Sequence, residues 1–143
     1  MADAVLEVIF INLDDIDVSD GLKFADIYKT VPEDDEYYGE NGANIAFAKA
    51  VKVNPFTVVE CGLLVDTENT LSESEFICDS EGVTKIVFEL SESIKIASDG
   101  SYGILIYNNK ATAGKTLKVR AYAKYSNGDF AYTLPVMMTF DEM

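Results

Sequence analysis

The sequence predicts an all-β protein built as an antiparallel sandwich, and three observations predict it. Apolar residues recur with a period of two along most of the chain, while no segment carries an apolar stripe at helical spacing. The alternating runs are short and are separated by turn dipeptides: Asp20-Gly21, Asn54-Pro55, Glu81-Gly82, Asp99-Gly100 and Asn127-Gly128. The chain has 143 residues, 48% of them hydrophobic, which is enough for one buried core.

In chain order the expected strands are Val5–Ile11, Leu22–Tyr28, Ile45–Val53, Thr57–Val65, Glu75–Cys78, Lys85–Leu90, Ile94–Ala97, Tyr102–Tyr107, Thr116–Tyr125 and Phe130–Phe140. The clearest is "LKVRAYAKYSNGDFAYTL". Leu117, Val119, Ala121, Ala123 and Tyr125 share one face, and Lys118, Arg120, Tyr122 and Lys124 share the other. Asn127-Gly128 supplies the positive φ angles of a tight hairpin turn. The return strand carries Pro135, which has no N–H, so it is expected to be an edge or to break there. Residues 1–40 hold the acidic, turn-rich "DDIDVSDG" and "VPEDDEYYGENG". They are read as an acidic arm or extra hairpin, and 43–143 as the main sandwich. A single fused sandwich is the alternative.

Composition removes several functions. There are 25 Asp+Glu against 11 Lys+Arg, a net charge of −14, so a phosphate-neutralising nucleic-acid face and attraction to anionic membranes are not expected. There is no His, which excludes Ser-His-Asp and Cys-His sites within one chain and the usual zinc ligand. Trp, the most frequent sugar-stacking residue, is also absent. With this many acids, carboxylate pairs occur by chance and none is singled out for glycoside hydrolysis. "SDGSYG" lacks the lysine and the strand–loop–helix context of a phosphate loop. No enzyme activity is expected. Cys61 alternates in phase with Val59, Leu63 and Val65, and Cys78 follows Phe76 in the same way, so both read as buried free thiols; a bridge is the alternative.

No export signal is evident. Residues 2–4, Ala-Asp-Ala, carry no basic region, and "AVLEVIFI" is broken by Glu7 and is too short to span a bilayer. If Met1 is the natural start, the protein is expected to stay in the cytoplasm until assembly or lysis; if it is a cloning start, removal of a signal peptide is the alternative.

Three groups of residues are candidate sites. Asp15, Asp17, Ser19 and Asp26 fall at positions 1, 3, 5 and 12 of a calcium loop, although Gly21 lies one place past the loop glycine. Calcium is the one cofactor considered; the alternative is an acidic turn. Tyr37 and Tyr38, set among acids, offer rigid contact area to a protein partner, or tuck against the sandwich. Lys118, Arg120, Tyr122 and Lys124 form a basic stripe that can dock an acidic patch on a neighbouring copy, or simply relieve like charge on a sheet face.

"AGKTLKVRAYAKYSNGDFAY" resembles the last two strands of fibronectin type III-like and related bacterial immunoglobulin-like modules. In those, a P/A-G-x-T loop leads into x-V-R-A-x-A and then an N-G turn. "VVECGLLVDTENT" is similar to a middle strand of the same modules. The resemblance covers roughly the last hundred residues. Many such modules carry a Tyr two residues before that valine; here the position is Leu117. The resemblance implies an immunoglobulin-like β-sandwich and a non-catalytic role as spacer, adhesion module or accessory domain. Joined to the acidic, His-free composition, it leads to the expectation of a virion protein: a phage head decoration or tail component contacting capsid, tail or copies of itself. The alternatives are a spacer or adhesin at the cell surface or outside the cell, and a carbohydrate-binding module that takes a glycan on Tyr and Phe.

Overall fold

The computed structural model describes residues 6–13, 27–51 and 55–142. Among these, nine strands form two antiparallel sheets packed face to face. The strands are β1 (Glu7–Ile11), β2 (Tyr28–Thr30), β3 (Ala43–Lys49), β4 (Val58–Asp66), β5 (Thr84–Val87), β6 (Ser101–Tyr107), β7 (Thr116–Tyr125), β8 (Phe130–Tyr132) and β9 (Val136–Thr139). The first sheet runs β1-β6-β3-β2. The second runs β5-β4-β7-β8, with β9 also paired to β7.

Alternation places the core. Ala46 and Ala48 of β3 and Tyr102, Ile104 and Ile106 of β6 face Cys61, Leu63 and Val65 of β4 and Leu117, Val119, Ala121 and Ala123 of β7. Phe88 closes one side, with Phe10 edge-on at 5.5 Å and Tyr102 at 5.3 Å. The hydroxyl of Tyr102 crosses the sandwich and donates to the carbonyls of Gly62 (2.8 Å) and Tyr122 (3.2 Å). Burial of this phenol is therefore matched by hydrogen bonds. Gly62 is required by close approach: a Cβ there would stand 1.9 Å from the Ile86 carbonyl oxygen of β5.

Each sheet also buries apolar residues on its outer face. Ile11, Ile45, Phe47 and Leu105 lie outside the first sheet, with Tyr37, Tyr38 and Tyr107 packed against them. Leu64, Phe76, Cys78 and Tyr122 lie outside the second, beneath the segment 67–83. Strands buried on both faces read as near-continuous apolar runs, as β6 does in "SYGILIY".

The prediction for Thr116–Tyr125 matches β7, and the last strand does break, into β8 and β9 around Thr133–Pro135. Two expected strands are corrected. Glu75–Cys78 forms turns: Glu75 accepts from the N–H and hydroxyl of Ser72, and Phe76 N–H donates to the Ser72 carbonyl. Only the Glu75-to-Ser72 half of a capping box forms here, and the turns place Phe76 in the outer cluster. Ile94–Ala97 is likewise not a strand. Asn12 fastens this region by donating to the Ser93 carbonyl and accepting from Lys95 N–H. The expected burial of Val59 with Cys61 is corrected as well. A register shift between Val58 and Glu60 turns Val58 toward the core and leaves Val59 59% exposed.

Candidate functional site

The basic stripe on β7 faces out of the sheet but not into solvent along its whole length. Arg120 is 5% exposed and Tyr122 2%, so the expectation that these two are docking groups is corrected: the segment 67–83 covers them. Arg120 Nε donates to the Thr133 carbonyl at 2.9 Å. Its Nη1 donates to the carbonyls of Phe76 (2.9 Å) and Glu73 (3.2 Å), and Nη2 pairs with Glu73 Oε1 at 3.4 Å. The guanidinium also lies 5.0 Å from the ring centre of Tyr132 and 5.9 Å from that of Phe76. A planar fork with five donors suits this task, because the covering segment makes no sheet ladder to satisfy its own carbonyls. Lys118 Nζ donates to the Leu71 carbonyl, and Asp66 accepts from Leu71 N–H at 2.7 Å. Lys124 lies beside the Phe130 ring, 5.8 Å from its centre. Lys118 and Lys124 keep partial exposure.

Next to this peg, Glu60 Oε2 accepts from the Tyr122 hydroxyl at 2.9 Å and from Lys85 Nζ at 3.1 Å. Burial pulls the Glu60 carboxyl upward, but the two hydrogen bonds outweigh it and hold its pKa below the ordinary value. The Tyr122 phenol is pushed well up by burial and by the Glu60 carboxylate. Cys61 lies between the sheets and Cys78 outside the second one, on opposite faces, and both thiols are free. Burial, with help from Glu60, pushes Cys61 up to about 11; burial also raises Cys78. Neither thiol is held as the reactive thiolate.

Tyr37 and Tyr38 sit in a one-turn 3-10 helix, Glu36–Tyr38, whose N-terminus is capped by Asp35 accepting from Tyr37 N–H at 2.8 Å. Both rings are half-buried against the outer cluster of the first sheet, while Glu33, Asp34, Asp35, Glu36 and Glu40 point outward. Gly39, at φ +75°, lets the chain leave this turn; a Cβ there would stand 2.8 Å from the Tyr107 ring. The calcium candidates Asp15, Asp17, Ser19 and Asp26 lie outside the described residues. Among the described residues no three His, Cys, Asp or Glu side chains gather as a metal site, and no helix is long and apolar enough to cross a membrane.

The feature that sequence reading missed is a hollow of about 140 Å3 where β3 faces β7 and β8. Its lining includes Ala48, Ala121, Ala123 and Ala131, together with Lys49, Val51 and Thr133. The signal was present in the shrinking inward side chains of β7, from Leu117 and Val119 to Ala121 and Ala123. Ala131 pairs with Ala123 and so faces inward, yet it is exposed, because the sandwich is open at this edge.

Compared with protein-family models, with curated proteins and with solved structures, the chain matches none.

Proposed function

We propose that this protein is a non-catalytic structural component that works by protein–protein contact, and in its narrower form an accessory protein of a phage virion, on the head or the tail. The observation that carries the reading is how the ionisable groups around the sheets are used. Arg120, Lys118 and Asp66 are committed to holding a loop over a sheet face, and Glu60 and Lys85 to each other and to Tyr122 across three strands. None of them opens onto a cleft with a nucleophile and a base in reach.

Topology supports the immunoglobulin-like reading. β2, β3 and β6 are neighbours in one sheet, and β5, β4, β7 and β8 in the other. That is the arrangement of strands A, B, E and C′, C, F, G in such modules, with β1 as an added strand beside β6. Fold alone does not convey function, so the virion role stands on the acidic, His-free composition and on the kinds of protein that carry such modules.

The test is density-gradient fractionation of the source culture, with the protein located by mass spectrometry. Co-migration with DNA-filled particles is the expected result. Recovery with cell envelopes, or only within a longer polypeptide, would overturn the virion reading in favour of a surface spacer or adhesin.

A further inference from the structure

We propose that the turn at Asn41-Gly42 is a self-modification site: in the folded chain Asn41 converts to aspartate and isoaspartate, while the same dipeptide at Asn127-Gly128 is shielded by its own hairpin. The inference does not depend on the protein-contact reading.

Asn-Gly occurs twice in the chain, at 41–42 and at 127–128. The dipeptide is open to cyclisation because glycine has no Cβ to crowd the attacking nitrogen. The main-chain nitrogen of the glycine gives up its proton to hydroxide and bonds to the asparagine Cγ. The Cγ–Nδ2 bond breaks, ammonia leaves, and a succinimide ring closes. Water then adds to one of the two ring carbonyls. Opening at the former side-chain carbonyl gives aspartate, and opening at the main-chain carbonyl gives isoaspartate. Water is the only co-reactant, and no oxidation state changes. The reaction therefore asks that the glycine N–H and the asparagine carboxamide both be free to meet.

At 127–128 neither is free. Gly128 N–H donates to the Tyr125 carbonyl at 2.9 Å. Asn127 Oδ1 accepts from Asp129 N–H at 3.0 Å, and Asn127 Nδ2 donates to Asp129 Oδ2 at 2.8 Å. Three hydrogen bonds thus hold both reacting groups in place, although this loop is exposed.

At 41–42 the pattern is reversed: the carbonyls are held and the reacting groups are not. The Asn41 carbonyl accepts from Asn108 Nδ2 at 3.1 Å, and the Gly42 carbonyl accepts from Asn108 N–H at 2.7 Å. Gly42 N–H and the Asn41 carboxamide have no hydrogen-bond partner among the described residues. Both residues are partly exposed, so water and hydroxide reach them.

The product alters a junction. Asn108 Nδ2 donates to the Asn41 carbonyl and also to that of Asp141, at 2.7 Å. In isoaspartate the carbonyl of residue 41 becomes a free carboxylate, and the chain runs on to Gly42 through Cγ, one methylene longer. The change lands where the turn, the segment after β6 and the C-terminal segment are tied together.

The experiment incubates the full chain in mildly alkaline buffer, folded and in guanidinium. Peptide mass spectrometry follows both sites, and anion exchange separates products by their added negative charge. In the folded chain Asn41 should convert at least about tenfold faster than Asn127, the factor for first opening two or more hydrogen bonds of ordinary net strength. In guanidinium the two rates should agree to within about threefold, because those hydrogen bonds are gone. Asn41→Gln should remove the early acidic species, and Asn127→Gln should leave it. Asp129→Ala releases Asn127 Nδ2 and should speed conversion at Asn127 about fivefold while leaving Asn41 unchanged. Equal rates in the folded chain, faster conversion at Asn127, or conversion of Asn41 only in guanidinium would overturn the proposal. So would an early acidic species that survives in folded N41Q, or an Asn127 rate unmoved in folded D129A.

Discussion

The two halves of β7 are built from the same alternation and end in opposite states. In the first half Leu117 and Val119 are fully buried, and β9 lies alongside with Met138 at 0% exposure. In the second half the inward residues are Ala121 and Ala123, the neighbour is the three-residue β8, and a hollow remains. Arg120 stands at the junction, tying the outer segment 67–83 and Thr133 to the sheet. The difference shows that a period of two decides which way a side chain points, while side-chain volume decides whether the sandwich closes. The closed half packs tightly, and the open half keeps a hollow at the sheet edge.

Substitutions that break this contrast should fall in a clear order when followed by urea denaturation. Arg120→Ala should cost most, about 4 kcal/mol, because three carbonyls lose a charged donor under the covering segment. A loss below about 1 kcal/mol would mean that the peg does not hold the segment. Leu117→Ala in the closed half should cost about 3 kcal/mol through lost burial and a new cavity. Tyr102→Phe, beside the hollow, should cost about 1.5 kcal/mol, since the Gly62 and Tyr122 carbonyls lose their cross-sandwich donor. Ala131→Leu in the open half should stay within about 0.5 kcal/mol of the parent. A loss comparable to that of Leu117→Ala would show that the open half is as tightly filled as the closed one.

A smaller effect sits on the outer face and depends on pH. Glu60 has a lowered pKa in the folded chain, so it binds a proton less readily than in the unfolded chain. Its contribution is present above the ordinary carboxylate value of 4.5 and is lost as pH falls through the lower folded value. Lys85, raised above 10.5 mainly by the same hydrogen bond, stays protonated through this range, so the pair is lost in acid with the Glu60 carboxylate and otherwise only in strong alkali. Glu60→Gln should therefore flatten the acid limb of a stability–pH curve and cost about 0.5 kcal/mol at neutral pH. An acid limb identical to the parent's would show that the Glu60–Lys85–Tyr122 cluster is energetically silent.

Much of the fold was legible because it rests on local pattern. β6 and β7 follow from alternation and the break in the last strand from Pro135; the hairpin also forms at Asn127-Gly128, but as a three-residue loop in which Gly128 alone takes the positive φ expected of both residues. The errors arose where distant segments meet. Nothing local to Arg120 and Tyr122 indicates that residues 67–83 fold over them, so half of a basic stripe became internal scaffolding. Alternation in Glu75–Cys78 imitated a strand, although Ser72 and Glu75 already spelled the Ser-x-x-Glu pattern, of which one half forms. Val59 was misplaced because a bulge leaves no mark in a run of apolar residues. Of the partner candidates, Lys118 and Lys124 remain partly exposed, and Tyr37 and Tyr38 lie half-buried against the first sheet. The hollow was written in the alanines of β7, but it forms only where Ala48 and Ala131 meet them from β3 and β8.

The central claim is that side-chain volume closes one half of β7 and leaves the other open. It is tested most directly by comparing Leu117→Ala with Ala131→Leu in urea denaturation. The account predicts that L117A loses about 3 kcal/mol while A131L stays within about 0.5 kcal/mol of the parent. Equal losses from the two substitutions would contradict it.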